Sequence, residues 1–392
     1  VQTCALPILT LMLSAYVIAY SQAPNHYLLG RTCGELPFLE YGLGSDRLGG
    51  AKMGLLDTSV LLRIVDSTVV NYKVQLSASH YAYINKLNIK TDTITRIPSY
   101  YLTNSWLIKG DSLYDYVSIG LDERLPYRIT QLLNPSRLQV DILGATSNTN
   151  WITQRSSATE VKKAWYEQVE DDVFRVIIEL EHEQHWGYYA YYEGKKLVIR
   201  IKRQPEILDL GHLRIAVDAG HGGENSGASG VATRIQEKNY TLKIASELEK
   251  ELLLEGADVF MTRTKDTSLS MPERINMIRN YAPDILISIH LNSSAKDSIN
   301  GVSTYYRYIG FKPLTQSILE SMVALGLNEF GNIGSFNFSL SGPTDYPNCL
   351  VEVAFLSNKE DEQLILDPEF HKAVACQITE GIKHWLKQIR GR

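Results

Sequence analysis

Residues 215–223 read IAVDAGHGG, an apolar run that ends on a histidine set among glycines. Short apolar runs bounded by glycine read as buried strands. This run belongs to a series at 213–217, 257–261, 285–289 and 350–355, with amphipathic stretches between. The clearest of these carries Leu242, Ala245, Leu248 and Leu252 on one face and stops at Gly256, which predicts a helix. Another helix is expected to begin near Pro272, and a last one to run over 368–389. Strands alternating with helices predict an α/β C-terminal domain, an open mixed sheet flanked by helices.

Upstream the pattern changes. Residues 48–108 hold short alternating runs such as VLLRIVD and YKVQLS, broken by turn residues, the signature of a small β-barrel or sandwich. The stretches 116–142 and 174–201 both run strand, polar turn, aromatic strand, basic-apolar strand. This reads as a degenerate internal repeat that packs one sheet on another. The organisation expected is therefore small all-β modules at 24–110 and 111–203, a linker at 204–212 around Pro205 and Gly211, and the α/β domain at 213–392. Residues 1–23 are apolar from Ala5 to Tyr20 and end in a small-x-small pattern at Ser21 and Ala23. They read as a secretory signal peptide, too short and interrupted to span a membrane stably.

The whole chain has 392 residues, a net charge of −5 and 44% hydrophobic residues. A mildly acidic chain lacks the basic footprint of a polyanion binder, so nucleic acid is excluded as a partner. Cys33, Cys349 and Cys376 remain once Cys4 leaves with the signal, an odd number without C-x-x-C spacing. Neither a disulfide framework nor a cysteine zinc site is predicted. His182 and His185 in ELEHEQHWGY approximate the H-E-x-x-H zinc motif with one residue too few. The segment alternates as a strand, which would point the two imidazoles to opposite faces.

In open α/β sheets ligands gather at the carboxyl ends of the strands. His221 lies just past the first predicted strand and His290 at the end of another; Glu237 precedes the long helix, and Glu352 interrupts the apolar run CLVEVAF. Each has an ordinary reading alone: a loop histidine, a helix-start acid that complements the dipole, a satisfied core histidine, a hydrogen-bonded buried acid. Together, two imidazoles and two carboxylates at strand ends are placed to converge, which the ordinary readings taken singly do not explain. A buried carboxylate needs a compensating partner or ion.

The blocks VDAGHGGENSGASG, EKNYTLKIASELEKEL, VFMTRTKD, RINMIRNYAPDILISIHLNSS, GVSTYYR and LVEVAFLSN, in this order over 213–389, resemble the zinc-dependent N-acetylmuramoyl-L-alanine amidases of the amidase-3 type. The resemblance implies His221, Glu237 and His290 as zinc ligands and Glu352 as the catalytic glutamate. It implies hydrolysis of the amide between N-acetylmuramic acid and L-alanine in peptidoglycan, in cell-wall remodelling and daughter-cell separation. Alternative readings are a catalytically inactive peptidoglycan-binding or activator protein, and a zinc peptidase acting within the stem peptide. Asn348-Cys349 stands where Pro-Ala is common in the family, and Asn225 where aspartate is frequent. The span 306–327 is too short for the long helix that occludes the site in some relatives. Upstream, LLNPSRLQVDILGAT resembles the AMIN modules of cell-wall amidases, and 24–110 is loosely similar to bacterial SH3-like wall modules. These resemblances imply glycan-peptide strands as substrate, envelope or divisome partners bound through the β modules, and secretion to the periplasm. The β modules are expected to contribute binding and not chemistry.

Overall fold

The computed structural model describes residues 28–45, 48–93, 98 and 100–391. The predicted signal peptide lies outside the described residues. The C-terminal domain is the expected α/β layer structure. Its sheet runs in the order β2-β1-β3-β6-β4-β5, from β1 (Arg214–Ala219), β2 (Asp258–Met261), β3 (Ile285–Asn292), β4 (Val302–Tyr305), β5 (Glu329–Ile333) and β6 (Asn348–Phe355). All neighbours pair in parallel except β4 with β6. Helices α1 (Glu237–Leu254), α2 (Met271–Tyr281), α3 (Lys312–Val323), α4 (Lys359–Leu366) and α5 (Pro368–Arg390) complete it. Apolar side chains of β1, β3 and β6 form a continuous buried core with Leu248 and Leu252 of α1 and Ile378 and Trp385 of α5. Strands β4 and β5 and helices α3 and α4 were not among the elements predicted from the sequence. Helix α3 fills the 306–327 span and buries Leu314, Ile318 and Met322 in the core.

Before this domain every strand is part of an all-β region. The strands between Leu28 and Asp92 form a seven-stranded antiparallel sheet. Two further sheets follow, and Trp106, Tyr166 and Phe174 pack ring on ring in the core they share with the first. The repeat has a structural counterpart. Tyr114–Leu121 lies in one sheet and the following hairpin, Tyr127–Leu132 with Arg137–Leu143, in the other. Val173–Leu180 and the hairpin Tyr188–Glu193 with Lys196–Lys202 do the reverse. The last strand of each hairpin pairs with the first strand of the other stretch.

Three expectations need correction. A module boundary at 110/111 separates strands that are hydrogen-bonded, because Tyr101–Gly110 pairs with Tyr114–Leu121. The 204–212 segment is no free linker: Leu208 and Leu210 are buried in the α/β core. His182 lies in a bend after one strand and His185 in the irregular stretch before the next, so neither is on a strand. His182 pairs with buried Glu160 at 2.7 Å, while His185 Nε2 reaches the Leu132 carbonyl at 3.2 Å.

Candidate metal centre

Strand β1 delivers its carboxyl end into a turn that only small residues permit. A Cβ on Gly220 would overlap the His290 ring, and one on Gly227 would lie 2.8 Å from His221 Cδ2. His221 itself takes the left-handed conformation, φ 62°, costly for a side chain larger than glycine. The surrounding structure holds it there. Its Nδ1–H donates to Asn225 Oδ1 at 2.9 Å, which leaves Nε2 free to act as a ligand. Its carbonyl accepts from Arg274.

Glu237 is the first residue of α1 and 3% exposed. Its Oε2 accepts from the Ala228 N–H at 2.7 Å and its Oε1 from the Leu291 N–H at 3.0 Å. The same Oε1 is 3.0 Å from His221 Nε2 and 3.0 Å from His290 Nδ1. One ligand atom from each of the three residues lies within 4.8 Å of the other two. Donors about 2.1 Å from a tetrahedral ion stand about 3.4 Å apart, so the set fits a divalent cation after small adjustments. Burial pushes the Glu237 carboxyl up, but hydrogen bonds from both imidazoles outweigh it and hold the group far below the usual carboxylate range. Burial lowers His290, and Glu237, then Glu352, raise it beyond its ordinary value. The site therefore favours concentrated positive charge, which an ion supplies as well as protons do.

Glu352 stands on β6 in register with His290 on β3 and is 7% exposed. All four predicted site residues thus meet at one edge of the sheet. A cleft of ≈ 430 Å³ opens there, lined by Gly220, His221, Ser268, Met271, Phe338 and Leu340 among others.

Sequence reasoning missed the support behind the turn. Asp218, 1% exposed, accepts from Arg274 Nη1 at 2.5 Å, Thr262 Oγ1 at 2.7 Å and Ser288 Oγ at 2.8 Å. Arg263 donates to the carbonyls of Ala219 and Gly220, each at 2.8 Å. Asp218 carried the same signal as Glu352, a charge inside an apolar run. Phe338, stacked on His290 at 6.0 Å between ring centroids, carried none in its sequence surroundings.

Known proteins resemble the chain in two places. Residues 215–384 match the family described as N-acetylmuramoyl-L-alanine amidase, and 107–201 match the AMIN domain. A probable cell wall amidase, LytH, of Staphylococcus epidermidis is 35% identical over 172 residues, 44% of this chain and 57% of that protein. The chain thus spans little more than half the length of that relative. The catalytic domain of CwlV, an N-acetylmuramoyl-L-alanine amidase from Bacillus (Paenibacillus) polymyxa var. colistinus, is 33% identical, with 44% of this chain covering 98% of it at a TM-score of 0.43. The CwlD amidase of Clostridioides difficile, solved with the GerS lipoprotein, is 26% identical, with 45% covering 100% at a TM-score of 0.42.

Proposed function

The chain belongs, through residues 215–384, to the N-acetylmuramoyl-L-alanine amidase family, and from that premise we propose that it hydrolyses the amide between N-acetylmuramic acid and L-alanine in peptidoglycan. The observation that carries this reading is the convergence of His221 Nε2, Glu237 Oε1 and His290 Nδ1 beside Glu352. In the proposal these three would hold zinc, and the chemistry the ion would supply when bound is polarisation of the amide carbonyl and acidification of water toward a pKa of about 7. Glu352 takes the proton from the attacking water as its oxygen bonds to the carbonyl carbon, and returns it to the leaving amine as the C–N bond breaks. Asn225 keeps His221 in the ligating tautomer.

The AMIN match at 107–201 supports an extracytoplasmic protein. No helix among the described residues is long and apolar enough to cross a membrane. Export to the periplasm, envelope or divisome partners for the β region and a part in daughter-cell separation belong to the same proposal.

The test is mass spectrometry of purified muropeptides incubated with the protein, with and without a chelator. Release of free stem peptide, lost on chelation and restored by zinc, is the expected result. Fragments cut inside the peptide would identify a peptidase instead, and retention without cleavage would identify a binder. Full activity with zinc shown to be absent would overturn the mechanism.

A further inference from the structure

Beside the metal-site cleft, loops of the C-terminal domain meet the first β sheet. Lys52–Leu55 is a strand of the first β sheet, and loops of the α/β domain grip its beginning. Asn337 Oδ1 accepts from the Lys52 N–H at 3.3 Å, and its Nδ2 donates to the carbonyls of Leu48 at 3.0 Å and Gly50 at 2.8 Å. Arg307 Nη2 donates to the Lys52 carbonyl at 2.5 Å. The Lys52 ammonium donates to Ser339 Oγ at 3.3 Å. Ser339 follows Phe338, the ring stacked on His290, so the lysine head is in contact with the loop that covers a candidate metal ligand.

A second cleft, of ≈ 170 Å³, opens at this contact; Lys52, Arg307, Glu35, Met271 and Ser339 are among its lining residues. Met271 and Ser339 also line the metal-site cleft, so the two clefts are neighbours. The charge in the second cleft is unbalanced. Burial, and then the charge of Arg307, push the Lys52 ammonium below its usual range, and Glu40 offsets only part of this. The Glu40 carboxyl is itself pushed up by burial. The hydrogen bonds of Arg307 go to neutral groups, the Lys52 carbonyl and Asn337 Oδ1. Among the described residues neither cation has a carboxylate partner within 4.0 Å, although Glu35 lines the same cleft. Two neighbouring cations without a paired acid, partly desolvated and lining a cleft beside the metal site, are suited to charge-assisted recognition of a carboxylate.

We propose that Lys52 and Arg307 form a carboxylate subsite for the stem peptide, so that the first β sheet supplies a specificity-determining side chain to the reaction. The proposal rests on the amidase reading. A stem peptide leaves the scissile amide at up to about 3.6 Å per residue, and its free C-terminus and acidic side chains carry the anion. This departs from the expectation that the β modules act only as remote binding parts.

The test compares kcat/KM of the full chain on a soluble N-acetylmuramoyl tripeptide with free carboxylates and on the same compound with those groups converted to carboxamides. Wild type should prefer the carboxylate form about tenfold, with the preference shrinking at high salt. Lys52→Gln should lose the preference and Lys52→Arg should keep it. A Lys52→Gln enzyme that still discriminates, or a wild type that does not, overturns the proposal. Calorimetric titration of the same protein with the free acidic tripeptide reads the subsite without turnover. If neither compound is hydrolysed, the amidase reading fails, and the binding difference between wild type and Lys52→Gln still decides the subsite. If Lys52→Gln does not fold, the wild-type preference and its salt dependence decide it.

Discussion

Glu352 lies in a strand whose apolar neighbours Leu350, Val351, Val353, Ala354 and Phe355 are all buried. A carboxylate there is expensive unless the site uses it. Glu352→Gln preserves shape and removes the base, so zinc content should stay near one per chain while turnover falls by about 10²- to 10⁴-fold. Loss of zinc along with turnover would make Glu352 a ligand, and unchanged turnover would make it structural. Gly220 tests the geometry from the other side. It contributes no ligand, yet any Cβ at 220 overlaps the His290 ring. Gly220→Ala should therefore weaken zinc binding by at least tenfold, read by competition with a chromophoric chelator. Unaltered affinity would mean that His290 can shift without cost. At this scale the sequence was legible mainly where chemistry conflicted with pattern, although Asp218, a charge inside an apolar run, went unread. A histidine among glycines and an acid in an apolar run stand out, whereas Phe338 and Lys52 matter only through neighbours far away in the chain.

The elements explain why the site residues converge. Strands β1, β3 and β6 are parallel neighbours, so their carboxyl ends meet at one edge, and α1 begins there with Glu237. Helix α2 has a second task. Ser270 and Glu273 form a reciprocal capping box that fixes where it starts, which sets Arg274 on the buried face beside Ile275 and Ile278. Arg274 thereby joins Asp218 to the His221 carbonyl. Burial raises the Asp218 carboxyl, but the Arg274 charge together with the Thr262 and Ser288 hydrogen bonds and the nearby His290 holds the group below its ordinary range. A carboxylate depressed in the folded state gives stability that is present above its unfolded pKa of about 3.9 and lost as pH falls through the folded value. Asp218→Asn should cost about 3–5 kcal/mol near neutral pH, because it leaves a guanidinium buried without its counter-charge. Urea unfolding of the two proteins at pH 7 checks this, and a difference under about 1 kcal/mol would assign the support to the carbonyls alone. The long helices and the four apolar strands were legible from period and run length. Strand β5, EFGNI, was not, since it sits at the sheet edge with no residue fully buried, and a half-exposed edge leaves no hydrophobic period to read.

For the whole molecule, the sequence separated β modules from catalytic domain by a linker, and packing joins them. The Gly310 N–H donates to Gln131 Oε1 at 2.7 Å, and the Gly310 carbonyl accepts from Gln184 Nε2 at 2.8 Å. Trp186 packs on Trp385 of α5 at 5.1 Å between ring centroids. No local pattern announces such a junction, because its partners lie more than a hundred residues apart. His185 sits within it, 2% exposed, against Gly310, whose Cβ would come within 2.8 Å of the ring. Burial pushes its imidazole down to about 4. The unfolded chain protonates this group near pH 6.5, so between about 6.5 and 4 the unfolded state binds more protons than the folded one. The stability of the β–α/β junction is then fully present above pH 6.5 and declines as pH falls toward 4, by on the order of 3 kcal/mol for this one group. His185→Asn removes the titration, so its urea midpoint should fall less steeply over this window than that of wild type, whatever its starting value. The slopes compare like with like because the other titrating groups, His182 and the depressed carboxylates among them, are present in both proteins. Parallel slopes would show that protons enter the junction elsewhere. A wild-type transition that splits into two steps below pH 6 would show the α/β domain separating from the β region before either unfolds.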